Sequence, residues 1–411
     1  MKHLLPLVAA AMLCACTATT TRSGLDPDRF QGAYEDQPTA LYTLTNTNGM
    51  EVCITNFGGR IVSLSVPDRN DTLRDVVLGF DNIRDYETIP SDFGACIGRY
   101  ANRLDHGLIT IDGTTYRLAT NNYGHTLHGG PTGWQYRVYN AEQIDSRTLR
   151  LSIVSPDGDN GFPGTVQAAC TYTLSDDNTL RIDYSATTDA PTVINMTNHA
   201  YFNLSGNGAE NILSHTLWLN ARQMTPVDST FMTTGEIVDI PSGDPFDFYT
   251  SPKPIGQDIL ADNLQLRNGH GYDHNFVLSH ADNHPTDSRL TRTNTQSDHD
   301  ITCSAPQADS GLTHAAPQAD DQLTHAATLY CPATGIALDV LTTEPGIQVY
   351  SGNFLDGTVI GKRGKVYACR NAVCLETQKY PNTPNNPAWP SATLRPGEEY
   401  RSTTLFRFSV R

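Results

Sequence analysis

Along most of the chain, hydrophobic residues alternate with polar ones in short runs that are separated by turn-forming residues. The alternation is regular around Leu149, Leu151 and Ile153, then Leu180, Ile182 and Tyr184, and later Ile336, Leu338 and Val340. A period of two predicts strands with one buried face, and the 3.6-residue period of a long helix is scarce. Because such strands recur from about residue 38 to residue 411, the chain is predicted to be all-β, with one large antiparallel β-sandwich.

Turn signals favour antiparallel pairing between neighbouring strands. Asn48-Gly49 separates two strand-like runs, and Asp112-Gly113 separates residues 107–111 from residues 114–118. Dipeptides of this kind favour the two-residue turns of β-hairpins. Hairpins are therefore expected at both points.

One segment, residues 280–327, does not follow this pattern. It is polar and contains an imperfect eleven-residue duplication, in which Ala305-Pro-Gln-Ala-Asp-Ser-Gly-Leu-Thr-His314 is followed by Ala316-Pro-Gln-Ala-Asp-Asp-Gln-Leu-Thr-His325. Such a segment has too little apolar surface to order as part of a core, so we predict an expanded loop inserted between two strands. The spacing of its histidines matches no metal-ligand motif, so no metal is expected there.

The chain begins with a segment typical of export. Met1-Lys-His3 precedes an apolar run, residues 4–13, that is too short to span a membrane. Residues 1–15 are predicted to be a lipoprotein signal peptide, since Leu13-Cys-Ala-Cys16 resembles a bacterial lipobox with Cys16 as the lipidated residue. An ordinary cleaved signal is the alternative. Residues 16–38 would form a polar tether, and the protein would lie in the periplasm or at the outer membrane.

Composition narrows the range of partners. The 411 residues carry a net charge of −16, which argues against binding to a nucleic-acid backbone, because that needs a basic face. Seven of the nine cysteines lie beyond Cys16, and they show no paired spacing. Buried free thiols are the simplest interpretation for Cys53, Cys170 and Cys374, which lie in strand-like runs.

Several polar motifs that lie far apart in sequence carry residues suited to chemistry. Asn195-Met-Thr-Asn-His-Ala-Tyr-Phe-Asn-Leu204 places His199 among apolar and aromatic neighbours, and histidine exchanges protons near neutral pH. Cys374-Leu-Glu-Thr-Gln378 places Glu376 in an otherwise apolar strand end. Burial there disfavours the charged carboxylate, so its pKa is expected to rise toward the range of a useful base.

Three further motifs complete the set: Gly98-Arg-Tyr-Ala-Asn-Arg103, Thr126-Leu-His-Gly-Gly130 and Gly271-Tyr-Asp-His-Asn-Phe276. Each also has a structural interpretation. Arg103 can pair with a carboxylate, His128 can cap a turn, and Asp273 can brace a loop.

Together these motifs resemble the aldose 1-epimerases, also called galactose mutarotases. The matching stretches run in the family's order through nearly the whole chain after residue 40: Asn56-Phe-Gly-Gly, Gly98-Arg-Tyr-Ala-Asn-Arg103, Leu127-His-Gly-Gly130, residues 157–164, Thr197-Asn-His-Ala-Tyr-Phe-Asn-Leu204, Pro245-Phe-Asp-Phe248, Tyr272-Asp-His-Asn-Phe276, Glu344-Pro-Gly-Ile-Gln-Val-Tyr-Ser-Gly-Asn353 and Leu375-Glu-Thr-Gln378. The resemblance implies a β-sandwich of the mutarotase type over residues 39–411, without cofactor or metal.

The resemblance also implies roles for individual residues. It makes Glu376 the general base and His199 the general acid, with His128 as a second histidine on the ring-oxygen side. It also implies that the hydroxyl groups of the sugar are bound by Asn102, Arg103, Asp273 and Gln348. The implied substrate is a free aldose of the glucose or galactose type, and the implied enzyme is an isomerase, with a monomer expected.

Three other functions compete with this interpretation. A glycoside hydrolase or lyase would use a carboxylate pair, for which Glu376 and Asp273 are available. A non-catalytic carbohydrate-binding surface lipoprotein would need no matched acid and base. An epimerase for hexose phosphates would need extra basic residues in the cleft. The presence of His199, His128 and Glu376 together favours the aldose 1-epimerase.

Overall fold

The computed structural model describes residues 20–279 and 323–411, and within these ranges nearly all regular structure is β. The strands of the first half are β1 (Gly32–Tyr34), β2 (Gln37–Thr39), β3 (Leu41–Thr45), β4 (Glu51–Thr55), β5 (Arg60–Pro67), β6 (Leu73–Asp75), β7 (Ala95–Ile97), β8 (Arg103–Leu104), β9 (Leu108–Ile111), β10 (Thr114–Arg117), β11 (Thr126–Leu127), β12 (Asn140–Gln143), β13 (Thr148–Ser155), β14 (Val166–Leu174) and β15 (Thr179–Thr188).

The second half continues the same architecture. Its strands are β16 (Thr192–Val193), β17 (Thr197–His199), β18 (Tyr201–Phe202), β19 (Thr216–Leu219), β20 (Ala221–Thr225), β21 (Val238–Asp239), β22 (Lys253–Pro254), β23 (Asp273–Leu278), β24 (Thr324–Tyr330), β25 (Ile336–Thr342), β26 (Gly346–Tyr350), β27 (Val373–Gln378), β28 (Thr393–Leu394) and β29 (Tyr400–Val410). The α-helices are short, α1 (Ile83–Thr88) and α2 (Leu264–Asn268). No helix in the described ranges is long and apolar enough to cross a membrane.

Two large antiparallel sheets form the sandwich. One has the order β12-β13-β14-β15-β29-β25-β24-β19-β22, the other has the order β18-β27-β26-β23-β20-β21, and β3-β4-β5-β6 form a separate four-stranded sheet. Apolar residues of all three sheets belong to one continuous core. A ring contact between Phe202 of β18 and Phe406 of β29, with centroids 5.0 Å apart, joins the two large sheets. The predicted fold class is therefore confirmed.

The alternating strands and the Asp-Gly hairpin are also confirmed. Leu149, Leu151 and Ile153 are buried, whereas the residues between and after them, Arg150, Ser152 and Val154, are partly or fully exposed. Strands β9 and β10 pair as a hairpin across Asp112 and Gly113, whose φ angles are +51° and +78°. Both φ angles are positive, as a type I′ turn requires.

The structure differs from the tether predicted for residues 16–38. In the described part, residues 20–38, Pro27–Phe30 forms a 3-10 helix, and β1 pairs with β2. Leu25 and Phe30 are buried in the core. These two residues supply apolar surface that a polar tether lacks. For residues 20–38 the prediction of a tether is therefore wrong.

The insertion predicted for residues 280–327 also extends too far at its C-terminal end. Residues 324–327 belong to β24, which pairs with β25, and Ala326 and Ala327 are fully buried. Residues 280–322, with most of the duplication, lie outside the described residues, as do the signal peptide and Cys16. The cysteines within the described ranges are free, and Cys53, Cys170 and Cys374 are buried as predicted.

Candidate active site

The site lies on one face of the six-stranded sheet, where strand register aligns polar side chains. Asn275 of β23 pairs with Gln348 of β26, which in turn pairs with Glu376 of β27. Asp273 and Tyr350 form the next pair on the same face, because side chains two residues apart point the same way. Three neighbouring strands therefore present a compact group of polar side chains.

The opposite face of these strands is mainly apolar. Phe276, Ile347, Val349 and Leu375, which lie between the polar residues in sequence, all belong to the core between the sheets. Both faces of these strands are buried. Because successive side chains point to opposite faces, one face packs in the core and the other carries the polar residues of the site. A slip of one residue in register would turn Glu376 into the core.

Strand register also brings His199 alongside Glu376. Tyr201 of β18 pairs with Cys374, so two residues back along the antiparallel strand His199 lies level with Glu376. The His199 Nε2 atom is 3.5 Å from Glu376 Oε1. The imidazole stacks on the Tyr201 ring, with centroids 5.0 Å apart and an interplanar angle of 18°. This packing fixes the plane of the histidine against the carboxylate.

His128 approaches the same place from a tight loop. Its φ is +52°, and a Cβ on the following Gly129 would lie 2.2 Å from the carbonyl oxygen of Gly98, so only glycine fits there. The backbone N–H of Asn102 donates to His128 Nδ1 at 3.2 Å. Because Nδ1 accepts, the neutral ring carries its proton on Nε2. The His128 and His199 rings meet edge to face with centroids 5.2 Å apart.

Two further predicted residues are held together by a hydrogen bond. Gln348 Nε2 donates to Asp273 Oδ1 at 2.7 Å. Arg103 Nε donates to Asn122 Oδ1 at 3.0 Å, and its guanidinium lies over the Phe231 ring at 5.0 Å. The positive charge of Arg103 balances the buried carboxylates of this face.

Burial controls the protonation of the site. Desolvation, reinforced by the nearby charges of Asp273 and Asp92, raises the pKa of Glu376 well above its ordinary value, although Arg103 opposes the rise. Desolvation lowers the pKa of His199, against the opposing charge of Asp92. It also lowers the pKa of His128 to about 3, so this ring is neutral at physiological pH.

Several buried polar atoms of the site have no hydrogen-bond partner within the described chain. They are Asn275 Oδ1, Gln348 Oε1, Glu376 Oε2, His199 Nδ1 and both side-chain polar atoms of Gln378. Buried polar groups are normally satisfied, because leaving one unpaired costs about 1–3 kcal/mol. A group of unpaired donors and acceptors on one face indicates a binding site for a neutral ligand rich in hydroxyl groups.

The structure brings together the residues that the sequence singled out. Glu376, His199, His128, Arg103, Asp273 and Gln348 all belong to this buried group. Asn102 lies beside it, with its side-chain oxygen accepting from the Arg103 N–H at 2.8 Å and its backbone orienting His128.

Other residues of the same motifs serve the scaffold. Arg99 donates from its guanidinium to the carbonyl oxygens of Ser155, Pro163 and Gly164. His274 points to the opposite face of β23, where its Nδ1 accepts from the Asp273 N–H.

Asn275, Gln378 and Asp92 were assigned no role from sequence. The first two lie two residues from Asp273 and Glu376 in strands, so the period of two was a usable signal. Asp92 lies in a turn before β7, and no pattern distinguished it from other polar turn residues.

A concavity of about 980 Å³ lies elsewhere, on the outer face of strands β13, β14 and β15. It is lined by polar strand residues such as Arg150, Gln167 and Thr171, and by none of the predicted site residues. Size alone therefore does not identify the site, whereas the unpaired buried groups do.

The fold and the site define a class of protein, namely a large β-sandwich with a buried histidine–carboxylate pair among unpaired hydrogen-bonding groups. Residues 40–407 match the family of aldose 1-epimerases. The galactose mutarotase of Sus scrofa is 38% identical over 361 residues, covering 88% of this chain and 92% of that protein. The aldose 1-epimerase of Escherichia coli is 35% identical over 379 residues, covering 92% and 97%.

Solved structures agree with these matches. An aldose epimerase homologue from C. elegans superposes with a TM-score of 0.74 at 28% identity, covering 90% of this chain and 99% of that one. The chain belongs to the aldose 1-epimerase family. The predicted family and enzyme class, an isomerase, are thereby confirmed.

Proposed function

We propose that this protein interconverts the α and β anomers of free aldoses, with Glu376 as general base and His199 as general acid. The observation that supports this most strongly is the buried pair itself, with His199 Nε2 3.5 Å from Glu376 Oε1 among unpaired hydrogen-bonding atoms. Membership of the aldose 1-epimerase family supports the same reaction.

In the proposed reaction the base removes the proton of the C1 hydroxyl while the acid protonates the ring oxygen. The ring opens, the C1–C2 bond rotates, and closure from the other face gives the other anomer. The protons return to their donors during closure, so both groups act in both directions.

The shifts in pKa suit this reversibility. Burial raises the pKa of Glu376 and lowers that of His199, so both shifts favour a proton on the carboxylate more than in water. Before the sugar ring opens, the pair holds one proton, which is on His199. After the ring opens, the pair again holds one proton, which is on Glu376. When the two pKa values are similar, neither arrangement is strongly favoured, and proton transfer costs little in either direction.

The remaining residues would bind the sugar. His128 donates from Nε2 on the ring-oxygen side, because its Nδ1 is already engaged by the Asn102 N–H. Asp273, Gln348 and Arg103 would hold ring hydroxyls, with charge-assisted hydrogen bonds from the ionised groups. A neutral sugar fits this site, since its hydroxyl groups both donate and accept.

Polarimetry on freshly dissolved α-galactose and α-glucose tests the proposal. The purified chain should accelerate the decay of optical rotation, and Glu376→Gln and His199→Asn should each abolish most of the acceleration. Acceleration that survives both substitutions would overturn the roles. Sugar binding without any acceleration would favour the carbohydrate-binding alternative, and release of a sugar from a glycoside would favour the hydrolase.

We also propose that the protein is exported and anchored through a lipid on Cys16, in the periplasm or at the outer membrane. The support is the sequence of residues 1–16. The backbone N–H groups of Arg22 and Ser23 donate to Glu51, at 3.0 Å each. Only the five residues 17–21 then separate the lipidated Cys16 from Arg22, and the six residue-to-residue steps between them span at most about 20 Å.

The anchor would therefore hold the domain close to the membrane surface. Partition of the full chain into a detergent phase, lost in Cys16→Ser, is the expected result. Equal partition of the two proteins would contradict the anchor.

A further inference from the structure

We infer that Asp92, His128 and His199 form a binding site for a divalent transition-metal ion such as Zn²⁺, and that the ion inhibits the enzyme by occupying its two histidines. We call these three residues the inner cluster. One ligand atom of each lies within 4.8 Å of the other two. The inhibition, but not the binding, rests on the proposed function.

The chemistry of the three side chains suits such an ion. Two imidazoles and one carboxylate are a common ligand set for zinc and related metals. A tetrahedral zinc ion with ligands at 2.0–2.1 Å places the donor atoms about 3.3 Å apart, so small side-chain rotations would close the site. Three protein ligands leave a coordination position for water.

Two of the three residues of the inner cluster have a buried polar atom without a partner. His199 is only 5% exposed, and its Nδ1 has no hydrogen-bond partner in the described chain. Asp92 Oδ1 is likewise buried and unpaired. Buried polar atoms without partners are groups that a bound ion would satisfy.

The backbone around Asp92 is fixed on both sides. The buried Arg60 donates from its guanidinium to the carbonyl oxygens of Ser91 and Phe93, at 3.0 Å and 3.1 Å. Gly94, two residues after Asp92, donates its N–H to the His199 carbonyl oxygen at 3.0 Å. The carboxylate is therefore held beside the histidine rather than placed there by a free loop.

A second group of the same residue types provides a matched control. Asp105, His106 and His125, which we call the outer cluster, also have ligand atoms within 4.8 Å of one another. Here His106 Nδ1 lies 2.6 Å from Asp105 Oδ1, and the His106 N–H donates to His125 Nδ1 at 3.0 Å. Since these atoms already have partners, the outer cluster is not expected to bind the ion.

The test is calorimetric titration of Zn²⁺ into the full chain, purified without a polyhistidine tag. Asp92→Asn should lose one binding event of the wild type or weaken it by at least the roughly 10–100-fold that loss of a second-shell partner costs. Asp105→Asn should bind like the wild type. Saturating galactose should suppress the same event in the wild type. Zinc bound by histidines elsewhere would appear equally in all three proteins.

Mutarotation measured with and without zinc separates this inference from the proposed function. Inhibition of the wild type at zinc concentrations that leave Asp92→Asn active, each relative to its own zinc-free rate, is the expected result. Zinc binding that Asp92→Asn leaves unchanged, or that only Asp105→Asn removes, would overturn the site. If no mutarotation is found but the binding difference remains, the metal site stands and the proposed function fails.

Discussion

The inner and outer clusters contain the same residue types in different states. In the outer cluster the side chains of His106 and Asp105 are 73% and 43% exposed, and their polar atoms are hydrogen-bonded to one another. In the inner cluster His128 and His199 are buried, and His199 Nδ1 has no partner in the described chain. The outer cluster closes a turn, whereas the inner one leaves hydrogen-bonding capacity for a ligand.

The difference shows that residue type alone does not mark a functional site. Histidines and carboxylates satisfied by their neighbours stabilise a loop. The same groups, buried and unsatisfied, cost stability that binding or catalysis must offset. The predictions below extend this comparison to other buried or hydrogen-bonded groups of the molecule.

The largest expected effect comes from removing a histidine of each cluster. His199→Asn should lower kcat/KM by about 10²–10⁴-fold, because it removes the proposed acid. His106→Asn should change kcat/KM less than about twofold, since asparagine tolerates its φ of +48° and the ring is exposed. Steady-state kinetics with α-galactose measures both, and similar losses in the two variants would break the comparison.

A smaller loss is expected at the hydrogen-bonded pair beside the base. Asp273→Asn should raise KM for galactose roughly 10–100-fold, because it removes a charge-assisted bond to a hydroxyl. The change in kcat should be smaller, since Glu376 and His199 stay in place and only the Asp273 contribution to the raised pKa of Glu376 is lost. A fall in kcat at unchanged KM would show instead that Asp273 acts in the chemical step.

Much of the fold and the site could be predicted from sequence. The period of two identified the β-sandwich, and the family motifs identified residues as distant as His128 and Glu376. Asp92 was missed because it lies in a turn. Its position depends on the pairing of β7 with β17 and on the hydrogen bonds from Arg60 to the neighbouring backbone. The burial of Leu25 and Phe30 was not predicted, because the apolar residues in this segment are too few to show a period.

His274 sharpens the comparison, because it is buried like the inner cluster but satisfied like the outer one. Its Nδ1 accepts from the Asp273 N–H at 3.1 Å, and its Nε2 lies 3.2 Å from Gln265 Oε1. Burial lowers its pKa to about 3. Because the pKa of His274 is lower in the folded state, its contribution to stability is complete above the pKa of the unfolded state, about 6.5. That contribution is lost as the pH falls toward the pKa of the folded state.

The loss from this one group approaches roughly 1.4 kcal/mol per pH unit below pH 6.5. His274→Gln should therefore lose less Tm between pH 7 and pH 5 than the wild type, by about 2–4 °C, whatever its stability at pH 7. Thermal unfolding at both pH values measures this difference. Parallel pH profiles in the two proteins would show that His274 is not the buried neutral group described.

The smallest expected effect is a gain in stability. Glu376 is buried with one unpaired oxygen, and its raised pKa means that ionisation destabilises the folded state as the pH rises above the unfolded value, about 4.3. Glu376→Gln should raise Tm at pH 7 by about 1–3 °C, and Asp105→Asn should change it by less than about 1 °C. A lower Tm for Glu376→Gln would show that the carboxylate stabilises the fold.

The central claim is that Glu376 and His199 act on opposite sides of one bond of the sugar, and a crystal structure of Glu376→Gln with galactose bound tests it most directly. We predict the C1 hydroxyl within hydrogen-bond distance of residue 376 and the ring oxygen within reach of His199 and His128. A sugar bound in the cleft with its C1 hydroxyl far from residue 376, or bound only elsewhere on the molecule, would contradict the account.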